Sequence, residues 1–234
     1  MILLQMTVGV DSAAKAANTV APIIPTEETL SIWQLYVEGG LYIMIPLTIM
    51  SMIAVYIFIE RYLAIQKASK DDINFMNSIK DFIHDGKTDA AKTLCNSTDT
   101  PTARMIEKGI SRIGKPLSDI STAIENVGKL EVSKLETNLS TLATIAGAAP
   151  MLGFLGTVIG MIITFHEMKI SGNGVEISQL SGGIMIAMVT TVGGLIVGII
   201  SYIAYNMLVA KISKVVNKLE VTTTEFMDLL HEPA

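Results

Sequence analysis

The chain has 234 residues, 50% of them hydrophobic and only 17% charged, with a mean hydropathy of +0.50. A soluble domain of this size needs a polar exterior, so the apolar excess calls for lipid as part of the solvent. The net charge of −5 comes without a basic stripe, which argues against nucleic-acid binding, and 1 cysteine with 3 histidines is too few for a disulfide or a structural zinc site.

Taken in chain order, Met1 to Val10 is apolar but lacks a basic leader, and Asp11 cuts the run short. Ser12 to Ala16 is a poor cleavage context, so residues 1–39 read as a retained periplasmic segment, weakly structured or amphipathic. From Leu41 to Ile59 no residue is charged; these 19 residues span roughly 28 Å as helix, close to the ~30 Å hydrocarbon thickness. The first membrane helix is therefore placed at 40–60, with Pro46 near its start, where a missing hydrogen bond costs least, and Glu60-Arg61 at an interface.

Residues 61–138 read as a helical cytoplasmic domain. Ile73, Met76, Ile79 and Ile83 form a stripe ended by Gly86, and Pro101 opens a helix to about Ile113, broken by Gly114 to Pro116. Ile120, Ile124, Val127 and Leu130 then lead towards the second membrane helix with no further breaker. Cys95 reads as a small buried or half-exposed residue rather than a reactive thiol.

Two longer uncharged runs follow, Leu139 to Phe165 with 27 residues and Ile177 to Ala210 with 34. Each is too short for two crossings and a turn, so each is one long helix that protrudes from the lipid. A break of the third at Gly193-Gly194 is the minor alternative. The spans are set at 139–166 and 177–210, joined by a periplasmic loop at 167–176 with Ser171-Gly172-Asn173-Gly174 as its turn signal. Leu208, Ile212, Val215, Leu219, Phe226 and Leu230 carry the helical pattern on through 211–234, as a cytoplasmic C-terminal helix. The fold class is thus an all-α membrane protein with three transmembrane helices, the second and third extended into a helical cytoplasmic domain.

Sidedness follows from basic residues near the membrane ends. Arg61, Lys67, Lys70, Lys129, Lys134, Lys211, Lys214 and Lys218 lie at one face, and only Lys169 is close to the other. This asymmetry predicts a periplasmic N-terminus and a cytoplasmic C-terminus.

Small residues mark a packing seam. Ala149, Gly153, Gly156 and Gly160 line one side of the second membrane helix beside Pro150, and Gly183, Ala187, Thr190, Gly194, Gly198 and Ser201 line the third. In lipid, helices gain most from close backbone approach, which such residues permit. Thr157, Thr190 and Thr191 lie on or beside these stripes; each hydroxyl can simply back-bond to its own helix, or together they can form a polar strip. None of the three uncharged runs, Leu41–Ile59, Leu139–Phe165 and Ile177–Ala210, contains Asp, Glu, Lys, Arg or His, the usual intramembrane proton and ion carriers. If this protein conducts protons, another chain must supply the titrating carboxylate.

The stretch Ala149-Pro150-Met151-Leu152-Gly153-Phe154-Leu155-Gly156-Thr157-Val158-Ile159-Gly160-Met161 resembles the A-P-x-x-G-x-x-G-T-V-x-G-[IM] signature of the MotA/TolQ/ExbB proton-channel family. Gly182-Gly183-Ile184 through Thr190-Thr191-Val192-Gly193-Gly194-Leu195 to Tyr205-Asn206 is similar to its third-helix signature, and three spans favour the ExbB/TolQ branch over the four-span MotA branch. The resemblance implies a homopentamer in the bacterial inner membrane around a single-span ExbD- or TolR-like partner, whose membrane aspartate carries the proton. It further implies delivery of force to a periplasmic TonB- or TolA-like protein. On this resemblance Thr157 and Thr191 match the threonines of the ion path, with Thr190 an adjacent candidate. One position departs: a glutamate common in the branch, five residues before the match to Thr191, is Ile186 here. Protons, drawn from the proton motive force, remain the expected driving ion, with sodium open as the alternative.

The expected function is an ExbB-like stator that energises TonB-dependent outer-membrane transport. Alternatives are a TolQ-like role in envelope integrity, a sodium-driven version, or a non-conducting scaffold. No cofactor or metal is implied. An enzyme is not indicated: Glu60, Glu167 and Glu176 lie at helix ends, and His84, His166 and His231 are far apart in sequence.

Overall fold

The computed structural model describes residues 32–69, 73–171 and 177–231. Most of the N-terminal segment, Lys70 and the Gly172-Asn173-Gly174 turn lie outside the described residues. Two compact units are distinguished, Met1–Leu35 and Tyr36–Ala234. Of the first, only the opening residues of helix α1 (Ile32–Glu38) are described. The second holds α2 (Leu41–Ala68), α3 (Ile73–His84), α4 (Thr88–Ser97), α5 (Pro101–Ile110), α6 (Leu117–Glu136), α7 (Leu139–Ser171) and α8 (Ile177–His231). Among the described residues there is no strand. Among the described residues three helical stretches are long and apolar enough to cross a membrane, and they fall on α2, on α6 with α7, and on α8.

Helix α8 runs unbroken for 55 residues, roughly 80 Å at 1.5 Å per residue. The glycine pair at 193–194 does not interrupt it, and Ala210 marks no boundary in it. Helix α2 likewise continues past Arg61 to Ala68. Helix α7 extends through Ser171, so Glu167 to Ser171 are helical rather than part of the predicted 167–176 loop. The helix opened by Pro101 stops at Ile110, three residues short of the expected end, and a turn leads to Gly114 at φ 93°. Thr100 caps its start by accepting from the Ala103 N–H at 3.3 Å.

The shorter helices pack on the polar end of the long ones. Their core joins Ile65 of α2, Ile79 of α3, Cys95 of α4, Ile106 of α5, Ile124 of α6 and Phe226 of α8, all buried. Cys95 is buried as expected, and desolvation, aided by the negative charge of Glu107, raises its thiol pKa to about 12. Its labelling by iodoacetamide at pH 8 should therefore be slow until the fold is opened by denaturant.

Helix α6 departs from the sequence reading twice. Its buried face runs Ile120, Ile124, Gly128, Glu131 and Leu135, whereas Leu130 is exposed and Val127 only half-buried. It also does not flow into α7. Thr137 turns extended, and Asn138 takes a left-handed φ of 63°, a conformation asparagine tolerates better than most residues. In a continuous helix the Lys134 carbonyl would accept from residue 138. Here Arg61 of α2 donates to it instead, at 2.9 Å, and Arg61 also pairs with Glu60. Arg61→Leu is expected to lower stability by about 0.5–1.5 kcal/mol, read as a fall in the thermal midpoint in detergent, because it removes a hydrogen bond that water at this exposed carbonyl replaces only in part.

Glu131 is held by two cations, Arg104 and Lys134, each at 2.6 Å, and Arg104 bonds Asp99, which also meets Lys67. The cluster thus ties α5 and α6 to the end of α2. Burial alone would push the Glu131 carboxyl up, but hydrogen bonds from Arg104 and Lys134 outweigh it and hold its pKa below the ordinary 4.5. A depressed folded pKa adds stability that is complete above the ordinary value and is lost as pH falls through the folded one. The thermal midpoint of the wild type should therefore drop more steeply below pH 4.5 than that of Glu131→Gln.

Candidate functional site

The site is the seam of the α7–α8 hairpin. Along it the two antiparallel helices meet step for step, because small residues recur every three or four positions on both. Gly160 faces the Gly183 carbonyl and Ala187, Gly156 faces the Thr190 side chain, Gly153 faces Thr190 and Gly194, and Pro150 lies against Gly198. A Cβ built at Gly194 would stand 2.7 Å from the Ala149 carbonyl oxygen, so the contact is backbone on backbone. Gly193, next along α8, faces the other way, towards Leu47 and Met44 of α2. The pair that could have broken the helix instead serves two neighbours at once.

The threonines differ in setting. Thr190 is fully buried, back-bonds to the Ile186 and Ala187 carbonyls at 2.8 and 3.1 Å, and fills the space left by Gly156. Thr191 is half-buried and donates at 3.1 Å to the Ala187 carbonyl, with a longer 3.4 Å contact across the seam to the Gly153 carbonyl. Thr157 is also half-buried, its hydroxyl on the Phe154 carbonyl, one helical turn from Gly153. Thr164, not singled out by the sequence reading, is buried against Gly183 and bonds the Gly160 carbonyl at 3.0 Å. Its spacing of four from Gly160 continues the stripe and was the signal available.

Chemically, each hydroxyl spends its one proton on a helix carbonyl and keeps oxygen lone pairs to accept with. The site can therefore accept a hydrogen bond from an acid or coordinate a small cation. It brings no carboxylate, amine or imidazole of its own: no Asp, Glu, Lys, Arg or His occurs in Leu139–Phe165 or Ile177–Ala210. Among the described residues no group of three His, Cys, Asp or Glu side chains could hold a metal. Ile186, at the departing position, is half-buried.

The outer faces of the hairpin are apolar and open, with Phe154 68% and Ile162 61% exposed on α7, and Met188 64% and Ile200 58% on α8. Apolar exterior, small-residue seam and half-buried threonine hydroxyls together define a multi-pass helical membrane protein whose two seam helices carry no Asp, Glu, Lys, Arg or His in their uncharged runs.

The chain belongs to the MotA/TolQ/ExbB proton channel family, whose model matches residues 97–221. It is 40% identical over 102 residues to the biopolymer transport protein ExbB of Aquifex aeolicus, covering 43% of this chain and 68% of that one. An ExbB homologue from Methanothermobacter thermautotrophicus is 32% identical over 121 residues, 52% of this chain and 42% of the relative. The Tol-Pal system protein TolQ of Pseudomonas aeruginosa is 31% identical over 101 residues, 43% of each chain. The matched stretch thus spans less than half of the latter two relatives.

Proposed function

We propose that this chain is the wall-forming subunit of an inner-membrane ion-driven motor, with Thr157 and Thr191 lining the ion path. The observation that carries this reading is the pair of half-open hydroxyls on a seam that is otherwise uncharged. Their lone pairs suit a carboxylic acid brought by a second chain, an ExbD- or TolR-like single-span subunit with a membrane aspartate. Thr190, enclosed against Gly156, serves packing rather than the path. The proposed assembly is a homopentamer around that partner, moving force to a TonB- or TolA-like protein. The proposed topology keeps Lys67, Lys134 and Lys211 cytoplasmic, in line with the excess of basic residues at that end.

Co-purification tests the division of labour. A tagged chain expressed in its native membrane should bring down a small protein whose single membrane helix carries one aspartate. If this chain alone, in liposomes, sustains a gated proton current, the reading fails. A sodium gradient substituting for the proton gradient in the assembled complex would select the sodium-driven version, to which the missing acid at Ile186 points.

A further inference from the structure

An open apolar groove of about 270 Å³ lies between α2 and the middle of α8. Small side chains make its floor, with Ala54 and Ser201 buried, while Val55, Phe58, Ile200 and Met207 rise on either side. Along α8 it runs from Ile196 to Met207, roughly 16 Å at 1.5 Å per residue. That is about half of the ~30 Å hydrocarbon thickness, the depth of one leaflet. The narrow width and this length fit one acyl chain.

The mouth of the groove says which lipid. One turn past Met207 stands Lys211, its ammonium 3.7 Å from the centroid of the Tyr62 ring. No carboxylate among the described residues pairs with it, and the nearest in α2, Glu60, is engaged by Arg61. An amphipathic tyrosine with a cation beside it belongs at headgroup depth, and an uncompensated lysine there attracts anionic lipid. We propose that this groove binds one anionic phospholipid per chain, with an acyl chain between α2 and α8 and its phosphate on Lys211. The bound lipid would fill the lower contact between α2 and α8 without closing the α7–α8 seam. The proposal goes beyond the ion reading and stands whether or not the seam conducts.

Native mass spectrometry of the full chain, purified in delipidating detergent and titrated with phosphatidylglycerol or phosphatidylcholine, tests it. The wild type should retain one phosphatidylglycerol per chain in preference to phosphatidylcholine. Lys211→Gln should reduce that preference about fivefold while leaving acyl binding intact. Ala204→Phe, which fills the groove, should abolish retention of both lipids; Ala204→Leu, milder on the fold, should weaken it. Equal retention of both headgroups by the wild type, or unchanged retention by well-folded Ala204→Leu and Ala204→Phe, would mean ordinary annular lipid and overturn the proposal.

Discussion

Adding one methyl group at Gly160 is expected to force α7 and α8 apart. The new carbon would lie 2.6 Å from the Gly183 carbonyl oxygen and 2.9 Å from the Ala187 nitrogen. Both are backbone atoms of a long unbroken helix, so neither can rotate away as a side-chain tip could. Relief requires the helices to separate, which loosens the Gly156–Thr190 and Gly153–Gly194 contacts along the same seam. Overpacking of this kind costs about 1–3 kcal/mol, and Gly160→Val should cost more. Gly147→Ala and Gly182→Ala supply the contrast, since nothing lies within 4 Å of either added carbon. There helix propensity acts alone and favours alanine by about 1 kcal/mol. Thermal midpoints in detergent, with the amount of assembled protein in the membrane, check the pair. If Gly160→Ala melts with the wild type, the backbone contact is not what holds the hairpin.

Valine at positions 157 and 191 is expected to stop ion flow while leaving the fold in place. Valine keeps the shape of threonine and removes only the hydroxyl. The helix carbonyls that lose a donor, those of Phe154 and Ala187, sit within helices, so little stability is lost. What disappears is an acceptor oxygen beside the charge carrier. Hydrogen bonds to charged or charge-sharing groups are worth about 1.5–3 kcal/mol, which corresponds to roughly a 10- to 150-fold slower flow for each threonine replaced. The assay is the rate of gradient-driven uptake per assembled complex. Thr190→Val is the discriminating control: its hydroxyl is enclosed, so its effect should appear in the thermal midpoint and not in the rate per complex. Equal loss in all three variants, in step with lost assembly, would reduce the threonines to packing and leave a scaffold.

The stretches with strong periodicity and no charge were legible without coordinates. Leu41 to Ile59 had to be a membrane helix because its backbone can satisfy itself in lipid no other way at that length. The seam glycines were legible for a related reason, since small residues at spacings of three and four can share one face only on a helix. Helix ends were read less well. The second membrane span is set at 139–166 because the uncharged run ends at Phe165, yet α7 runs to Ser171, since a helix outside the lipid tolerates polar residues freely.

Composition and pattern determined that this chain is helical, that it lives in lipid, which faces of α7 and α8 touch, and that it holds no charge of its own in the membrane. Tertiary contacts decided the rest. Val127 and Leu130 are more apolar than Glu131, but the structure buries Glu131 because Arg104 and Lys134 neutralise it in place. Asn138 breaks a helix that local propensity would continue, and the Arg61 side chain, 73 residues distant from Lys134, takes the carbonyl so exposed. Thr190 and Thr191 are the same residue side by side; only the neighbouring helix, with Gly156 against one and the Gly153 carbonyl beside the other, makes them different. A pattern along one chain records which face is apolar, whereas the partner a polar group meets is supplied by another segment, and that becomes visible only once the chain has folded.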